Sequence, residues 1–114
     1  MDERLKKALD FSNYSLTISN QKKNLKNRLN QMLLVHHDNG VFVADPTTIN
    51  FVGSLSQSGS TAVFLDTKEN PIRVNDLIAF KIKLETAYTD AMLEYEVEFN
   101  KIKKLRSLNK LMED

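Results

Sequence analysis

The chain contains only two histidines, and they are adjacent: His36 and His37. Imidazoles bind metals and transfer protons near neutral pH. A strand through this region would point the two side chains to opposite faces, so they could not share one ion. Asp38 and Asp45 are the nearby carboxylates, and the chain has no cysteine. We therefore predict no metal site and no cofactor, and we expect two solvated histidines beside a turn.

Three carboxylates recur at every fourth residue: Asp90, Glu94 and Glu98. On a helix this spacing places them on one side, as in di-metal bundles, but those sites add Glu-x-x-His motifs on facing helices. No histidine occurs in the long helical segments predicted below. We expect a solvated acidic face.

The motifs of nucleophilic and phosphate-transfer enzymes are missing from the sequence. No G-x-S-x-G is present, and Gly53 and Gly59 fit neither a Walker nor a dinucleotide-binding pattern. We predict no catalytic residue and expect that the protein is not an enzyme.

Charge is balanced overall, with 16 Lys and Arg against 15 Asp and Glu, so bulk charge does not indicate nucleic-acid binding. Basic residues nevertheless gather toward both ends of the sequence, in a set called here the basic tip: Arg4, Lys6, Lys7, Lys101, Lys103, Lys104, Arg106 and Lys110. If the two ends meet, this set suits a phosphate or an acidic partner. No aromatic residue interleaves with it, which disfavours base stacking. The plainer interpretation is a solvated surface with salt bridges.

All five Gly and Pro residues fall between Gly40 and Pro71. Because these residues break helices, they divide the chain into two helical ends and a turn-rich middle. We expect one domain over residues 1–114, with a long helix at 1–35, a small α/β head at 36–74 and a second long helix at 75–112.

Each predicted long helix has two apolar sides at 100° per residue. The main stripes are Phe11, Tyr14, Ile18, Leu25, Leu29, Met32 and Leu33 on the first helix, and Leu77, Phe80, Leu84, Tyr88, Ala91, Tyr95, Phe99 and Ile102 on the second. The opposite sides carry Leu5, Leu9, Leu16 and Leu34, and Ile82, Leu93, Val97, Leu108 and Leu111. Two helices packed as a pair cover one side each, so the second sides predict another neighbour, either the head folding back or another copy of the chain.

The head is predicted from its turn signals. Asn39-Gly40 before a β-branched run indicates a hairpin turn with positive φ at Gly40. Asp45 and Pro46 suit the start of a short helix, with Ile49, Val52 and Leu55 inward. Strands are expected at 41–44, 62–65 and 72–74, the second fully buried; residues 33–36 either pair with the first strand or end the first helix. Asn75 is the expected N-cap of the last helix.

The fold class is therefore α+β, mostly α: an antiparallel hairpin of long helices, the stalk, carrying a small α/β head of about three strands and one short helix.

Four strings spread over nearly the whole chain, LKKALDFSNY, DNGVF, FLDTKENPIRVNDL and EYEVEFNKIKKLRS, resemble a family of small proteins encoded by T4-like phages of marine cyanobacteria. Some small genes of such phages encode prohead core or other assembly components. The resemblance implies an assembly role. It transfers no catalytic or binding residue.

We accordingly predict a non-catalytic, self-associating structural or assembly protein. Its self-association residues would be Leu5, Leu9, Leu16, Ile82, Leu93 and Val97. Its partner would be itself, as a homodimer or larger, with other virion or host proteins as further candidates. The alternative is a small regulatory adaptor or nucleic-acid-binding protein that uses the basic tip.

The first ten residues are charged throughout, and no apolar run approaches the ~20 residues that span a bilayer. We expect no membrane partner and a location in the host cytoplasm or the virion, not secretion.

Overall fold

The computed structural model describes the backbone of residues 2–112 and the side chains of residues 2–105. In chain order the elements are α1 (Glu3–Met32), β1 (Leu34–His37), β2 (Gly40–Val43), α2 (Pro46–Ser56), β3 (Ala62–Leu65), β4 (Pro71–Val74) and α3 (Leu77–Met112). Helices hold 67% of the residues. The predicted class, α+β and mostly α with two long helices, is confirmed.

The chain divides into two compact units. The helical unit consists of residues 1–28 and 94–114, and the head unit of residues 29–93. The division therefore falls inside α1 and α3 rather than at the expected ends of the head.

In the helical unit α1 and α3 run antiparallel. Arg28 forms an ion pair with Glu94, and farther toward the N-terminus of α1 the Tyr14 hydroxyl donates to the Leu105 carbonyl at 3.2 Å. Between these contacts the Lys22 ammonium lies 5.7 Å from the centre of the Phe99 ring. A cation over an aromatic face is attracted by the ring electrons, which explains how a lysine can interrupt an apolar stripe.

The main apolar stripes are on the covered sides of the helices, as predicted. The buried members are Ile18, Leu25, Leu29 and Leu33 in the first and Leu77, Phe80, Leu84 and Ala91 in the second. Tyr14, Met32, Tyr88, Tyr95, Phe99 and Ile102 are half-buried. Phe11 is the exception; it is exposed, and nothing among the described residues covers it.

The head unit contains two antiparallel hairpins, β1–β2 and β3–β4, each a separate two-stranded sheet. It therefore has four strands rather than about three. Leu34 pairs with Val43, so residues 34–37 form a strand and α1 ends at Met32, not at residue 35. The pairing leaves the Leu34 side chain exposed.

The first hairpin turns one residue earlier than predicted. Asp38 and Asn39 have φ of 47° and 67°, whereas no glycine has positive φ. Two left-handed residues in a two-residue loop are characteristic of a type I′ turn, which matches the twist of the strands. Gly40 is the first residue of β2, paired with His37. The expectation of positive φ at Gly40 is wrong, because Asp and Asn tolerate this conformation and occupy the turn.

Phe80 of α3 is the centre of the head core. Its ring is fully buried. The centre of this ring lies 5.1 Å from the ring centre of Phe42 in β2, 5.9 Å from that of Phe64 in β3 and 4.8 Å from that of His37 in β1. Such aromatic pairs contribute about 0.5–1.5 kcal/mol each beyond the area they bury. One side chain thus joins both hairpins to α3.

The helix caps are confirmed for α2 and corrected for α3. The Asp45 carboxylate accepts from the Thr48 amide at 2.8 Å ahead of Pro46. At α3 the capping carboxylate is Asp76, which accepts from the Ala79 amide at 3.0 Å, rather than Asn75. A cap bonds the amide two or three residues on, so Asp76 fits a helix that begins at Leu77.

Strand β3 is not fully buried, contrary to its apolar sequence. Only Phe64 is buried, while Val63 and Leu65 are exposed. Because β3 belongs to a two-stranded sheet, it has one covered face, and alternate residues point away from it. In α2, Val52 is fully buried, whereas Ile49 and Leu55 are half-buried.

Gly40 is needed for packing rather than for its conformation. A Cβ at this position would lie 2.7 Å from Cγ1 of Ile72. We expect Gly40→Ala to lower the free energy of unfolding by at least about 1 kcal/mol, the usual cost of overpacking. Chemical denaturation measures this effect.

The control is Gly59→Ala, because a Cβ there meets no atom within 4 Å. Adding Ile72→Ala to Gly40→Ala should cost less than the sum of the two single changes, since it removes the clashing atom. Strict additivity would contradict this explanation.

Candidate functional site

The two histidines lie on opposite sides of β1, as their spacing requires. His36 is exposed, and its carbonyl accepts from Nζ of Lys83 at 2.6 Å. His37 packs on Phe80, and its Nε2 lies 3.3 Å from Oδ2 of Asp38. Within residues 2–105, no group of three or more His, Asp and Glu side chains is arranged to hold a metal ion. His37 therefore belongs to the core edge rather than to open solvent.

Two of the three carboxylates in the acidic series of α3 form ion pairs. Glu94 pairs with Arg28, and Glu98 accepts from Nζ of Lys101 at 3.0 Å. Asp90 is exposed. The series extends along the surface of α3 and does not converge on one point.

Asp66 is the carboxylate that sequence reasoning missed. It is buried and accepts from three backbone amides: Asn70 at 2.9 Å, Lys68 at 3.0 Å and Val41 at 3.3 Å. The Asn70 amide is the largest cause that lowers the pKa of Asp66, ahead of the Val41 and Lys68 amides, while burial opposes them. The available signal was an aspartate opening a polar loop, a pattern typical of Asx turns.

Asp66 also joins the two hairpins. Val41 belongs to β2, whereas Lys68 and Asn70 belong to the loop between β3 and β4. The Thr67 amide adds a second bond to the Val41 carbonyl at 2.8 Å. Amides occupy the carboxylate oxygens, so this aspartate positions backbone and is not free for acid–base chemistry.

All six residues predicted for self-association are exposed. Leu5, Leu9, Leu16 and Val97 are in the helical unit, and Ile82 and Leu93 are in the head unit, with exposures from 45% to 62%. Ile78 of the head unit, at 63%, was not predicted, although it precedes Ile82 by four residues on α3. Leu108 and Leu111 lie outside the residues whose side chains are described. Large apolar side chains are therefore exposed on the long helices in both units.

The head unit also has an open groove of about 460 Å³ beside α2. Its wall includes the exposed side chains Phe51, Val63 and Leu65. Phe51 meets the buried Phe64 edge-on, with ring centres 5.8 Å apart. The polar side chains in the lining of this groove are Asp45, Thr47, Thr48, Asp66 and Thr67.

The described members of the basic tip are exposed in the helical unit. Lys103 and Lys104 adjoin Leu105, whose carbonyl accepts a hydrogen bond from the Tyr14 hydroxyl. Lys7 lies seven residues before Tyr14, which is about 10 Å along α1. Arg4 and Lys6 lie beside Lys7, and Lys101 pairs with Glu98. The two groups therefore share a unit but are offset along it. Arg106 and Lys110 fall outside the described side chains.

No protein-family model, curated protein or solved structure matches the chain. Among the described residues, no helix combines the length and the hydropathy needed to cross a membrane.

Asp66 should make the stability of the fold depend on pH. Its pKa is lowered in the folded chain, so its contribution is present above the ordinary value of 3.8 and is lost as pH falls through the folded value. We expect Asp66→Asn to be less stable than the wild type at pH 7, and the difference to shrink below pH 4. Urea midpoints across this range measure it.

Glu96→Gln, which changes an exposed carboxylate in the helical unit, is the control. A constant difference between wild type and Asp66→Asn from pH 7 to the acid limit would contradict the role given to this carboxylate.

Proposed function

We propose that the protein is a non-catalytic, self-associating helical protein with a structural or assembly role. The observation that carries this proposal is the set of large apolar side chains left exposed on both long helices, on the sides opposite the buried stripes. Burying a fully exposed side chain of this size contributes about 1.5–3 kcal/mol, so covering the exposed half of each contributes on the order of 1 kcal/mol. Several of them together supply a strong drive toward association.

A second copy of the chain can cover these side chains without any other protein. Closed two-fold dimers are the commonest solution for such surfaces, and helices from two copies can form a four-helix bundle. Larger assemblies and additional virion or host proteins are compatible with the same surfaces.

The phage context is part of the proposal and is supported by the resemblance described above. A protein of this kind would act in the cytoplasm of an infected cell or inside the virion, as a prohead core or other assembly component.

The first test replaces two exposed residues of α3. Leu93→Lys with Val97→Lys should keep the helical content, because both side chains are in solvent in the single chain. It should reduce the mass measured by light scattering after size exclusion to that of one chain. Leu65→Lys, an exposed apolar position on β3, is the matched control and should leave the mass unchanged.

A triple change, Leu5→Lys, Leu9→Lys and Leu16→Lys, tests α1 in the same way. The proposal fails if neither set of substitutions lowers the mass of the assembly.

The alternative function, an adaptor or nucleic-acid-binding protein, is supported by how charge is divided between the units. The helical unit contains twelve Lys and Arg against eight Asp and Glu, whereas the head unit contains four against seven. A net-basic unit attracts phosphate or an acidic partner.

This alternative predicts retention on heparin at low salt. Changing Lys103, Lys104 and Arg106 to Gln should abolish the retention, and added salt should weaken it steeply, since phosphate binding releases counterions. Lys68→Gln, in the head unit, is the control. Absence of wild-type retention at low salt would remove the alternative.

A further inference from the structure

We infer that two copies of the chain associate through antiparallel α3 helices, about a two-fold axis. Along α3 this axis lies at the level midway between Ala87 and Tyr88. This inference rests on the proposed self-association and assigns it a face, a direction and a register. The contact is the α3 stripe, defined as Ile78, Ile82, Thr86, Thr89 and Leu93 of the head unit.

The α3 stripe lies opposite the buried side of the helix. Phe80, Leu84 and Ala91 are buried, whereas Ile78, Ile82 and Leu93 are 58–63% exposed. Thr86 and Thr89 are also exposed. At 100° per residue all five fall within about 80° of one another, so a single neighbouring helix can cover them.

The spacing along the α3 stripe is symmetric about its centre when Val97, the next apolar residue of the series in the sequence, is counted with it. Ile78, Ile82, Thr86, Thr89 and Leu93 are separated by four, four, three and four residues, and in the sequence Val97 follows after four more. Reversing the helix therefore reproduces the same series. A two-fold antiparallel contact requires a self-complementary surface, whereas a parallel contact places no such condition on the spacing.

The reversal also matches side chains by size. Ile82 of one copy meets Leu93 of the second copy, and Thr86 meets Thr89 across the axis. Large aliphatic groups thus meet large ones at the ends of the contact, and small hydroxyl-bearing residues meet near the axis, where the helices approach most closely.

Charge is complementary along one flank of the stripe. Lys83 and Asp90 both lie on that flank and are exposed. In the antiparallel register, the positions of Lys83 of one copy and Asp90 of the second copy along the helix axis differ by about 3 Å. The symmetry produces this pair twice. Lys83 already donates to the His36 carbonyl, but an ammonium has three donors and can hold both partners.

Each flank also carries one like-charge approach. On the first flank, Asp90 approaches Asp90 of the second copy with an offset of about 7.5 Å along the axis. On the other flank, Glu85 meets Glu85 of the second copy with an offset of about 7.5 Å along the axis. Lys81 lies 3.5 Å from the Glu85 carboxylate in the same chain and offsets the repulsion.

Cysteine pairing tests the register, because the natural chain has no cysteine. Ile82→Cys and Leu93→Cys chains, one of them isotopically labelled, are refolded together and oxidised, and the linked peptides are identified by mass spectrometry. We expect the mixed 82–93 disulfide to exceed like-with-like links by about tenfold, because Ile82 and its own copy lie about 16 Å apart along the axis, beyond disulfide reach. Asn50→Cys, exposed on α2, gives the background.

Predominant 82–82 and 93–93 links would indicate a parallel pair and overturn the inference. Background linking in a chain that still measures as an oligomer would place the interface elsewhere, overturning the inference while leaving the proposed function intact. A monomeric wild type would overturn both.

Charge reversal tests the flank independently. Lys83→Glu and Asp90→Lys should each raise the dimer dissociation constant by about tenfold, since each creates two like-charge pairs. The double variant should return to within about threefold of the wild type, although it too lacks the Lys83–His36 bond. A double variant as weak as the sum of the singles would contradict the pairing.

Discussion

One side of α3 is the surface on which the head unit is built. Leu77, Phe80 and Leu84 are fully buried, and Phe80 alone contacts aromatic rings from both hairpins. A helix that packs on one side leaves the other side to whatever else is present. Over residues 78–93 that other side is also apolar at three of its five positions, and it is exposed among the residues whose side chains are described. We therefore expect association through this side of α3.

The small hairpins are held by aromatic packing on that surface and by one buried carboxylate. A two-stranded hairpin is marginally stable by itself, so each needs a neighbour. Phe42 and Phe64 supply the apolar contact with α3. Asp66 joins the two hairpins to each other by accepting from amides of both. The head unit is thus fixed by a few specific interactions. Gly40 packs against Ile72 and has no room for a side chain.

Periodicity predicted the helices and their buried sides, because apolar spacing over thirty or more residues leaves little ambiguity. The errors are local. The predicted turn at Asn39-Gly40 is one residue too late, because Asp38 and Asn39 take positive φ and Gly40 does not. The apolar run of β3 predicts a buried strand wrongly, because it does not reveal that the sheet has only two strands.

Exposed candidate residues were predictable in the same way, since a second stripe is visible in the sequence. Asp66 was not, because its role depends on Val41, which lies 25 residues away in the chain. Ile78 was missed at the first turn of α3, although its spacing from Ile82 was available. Predicting a long-range polar contact requires knowledge of the fold, whereas predicting the faces of a helix requires only the sequence.

The most direct measurement is sedimentation equilibrium of the unmodified chain at micromolar concentration, in low and high salt. We expect a mass at least twice the 13.1 kDa of one chain, retained in high salt because apolar contacts dominate the association. A single species of 13.1 kDa across the concentration range would contradict it.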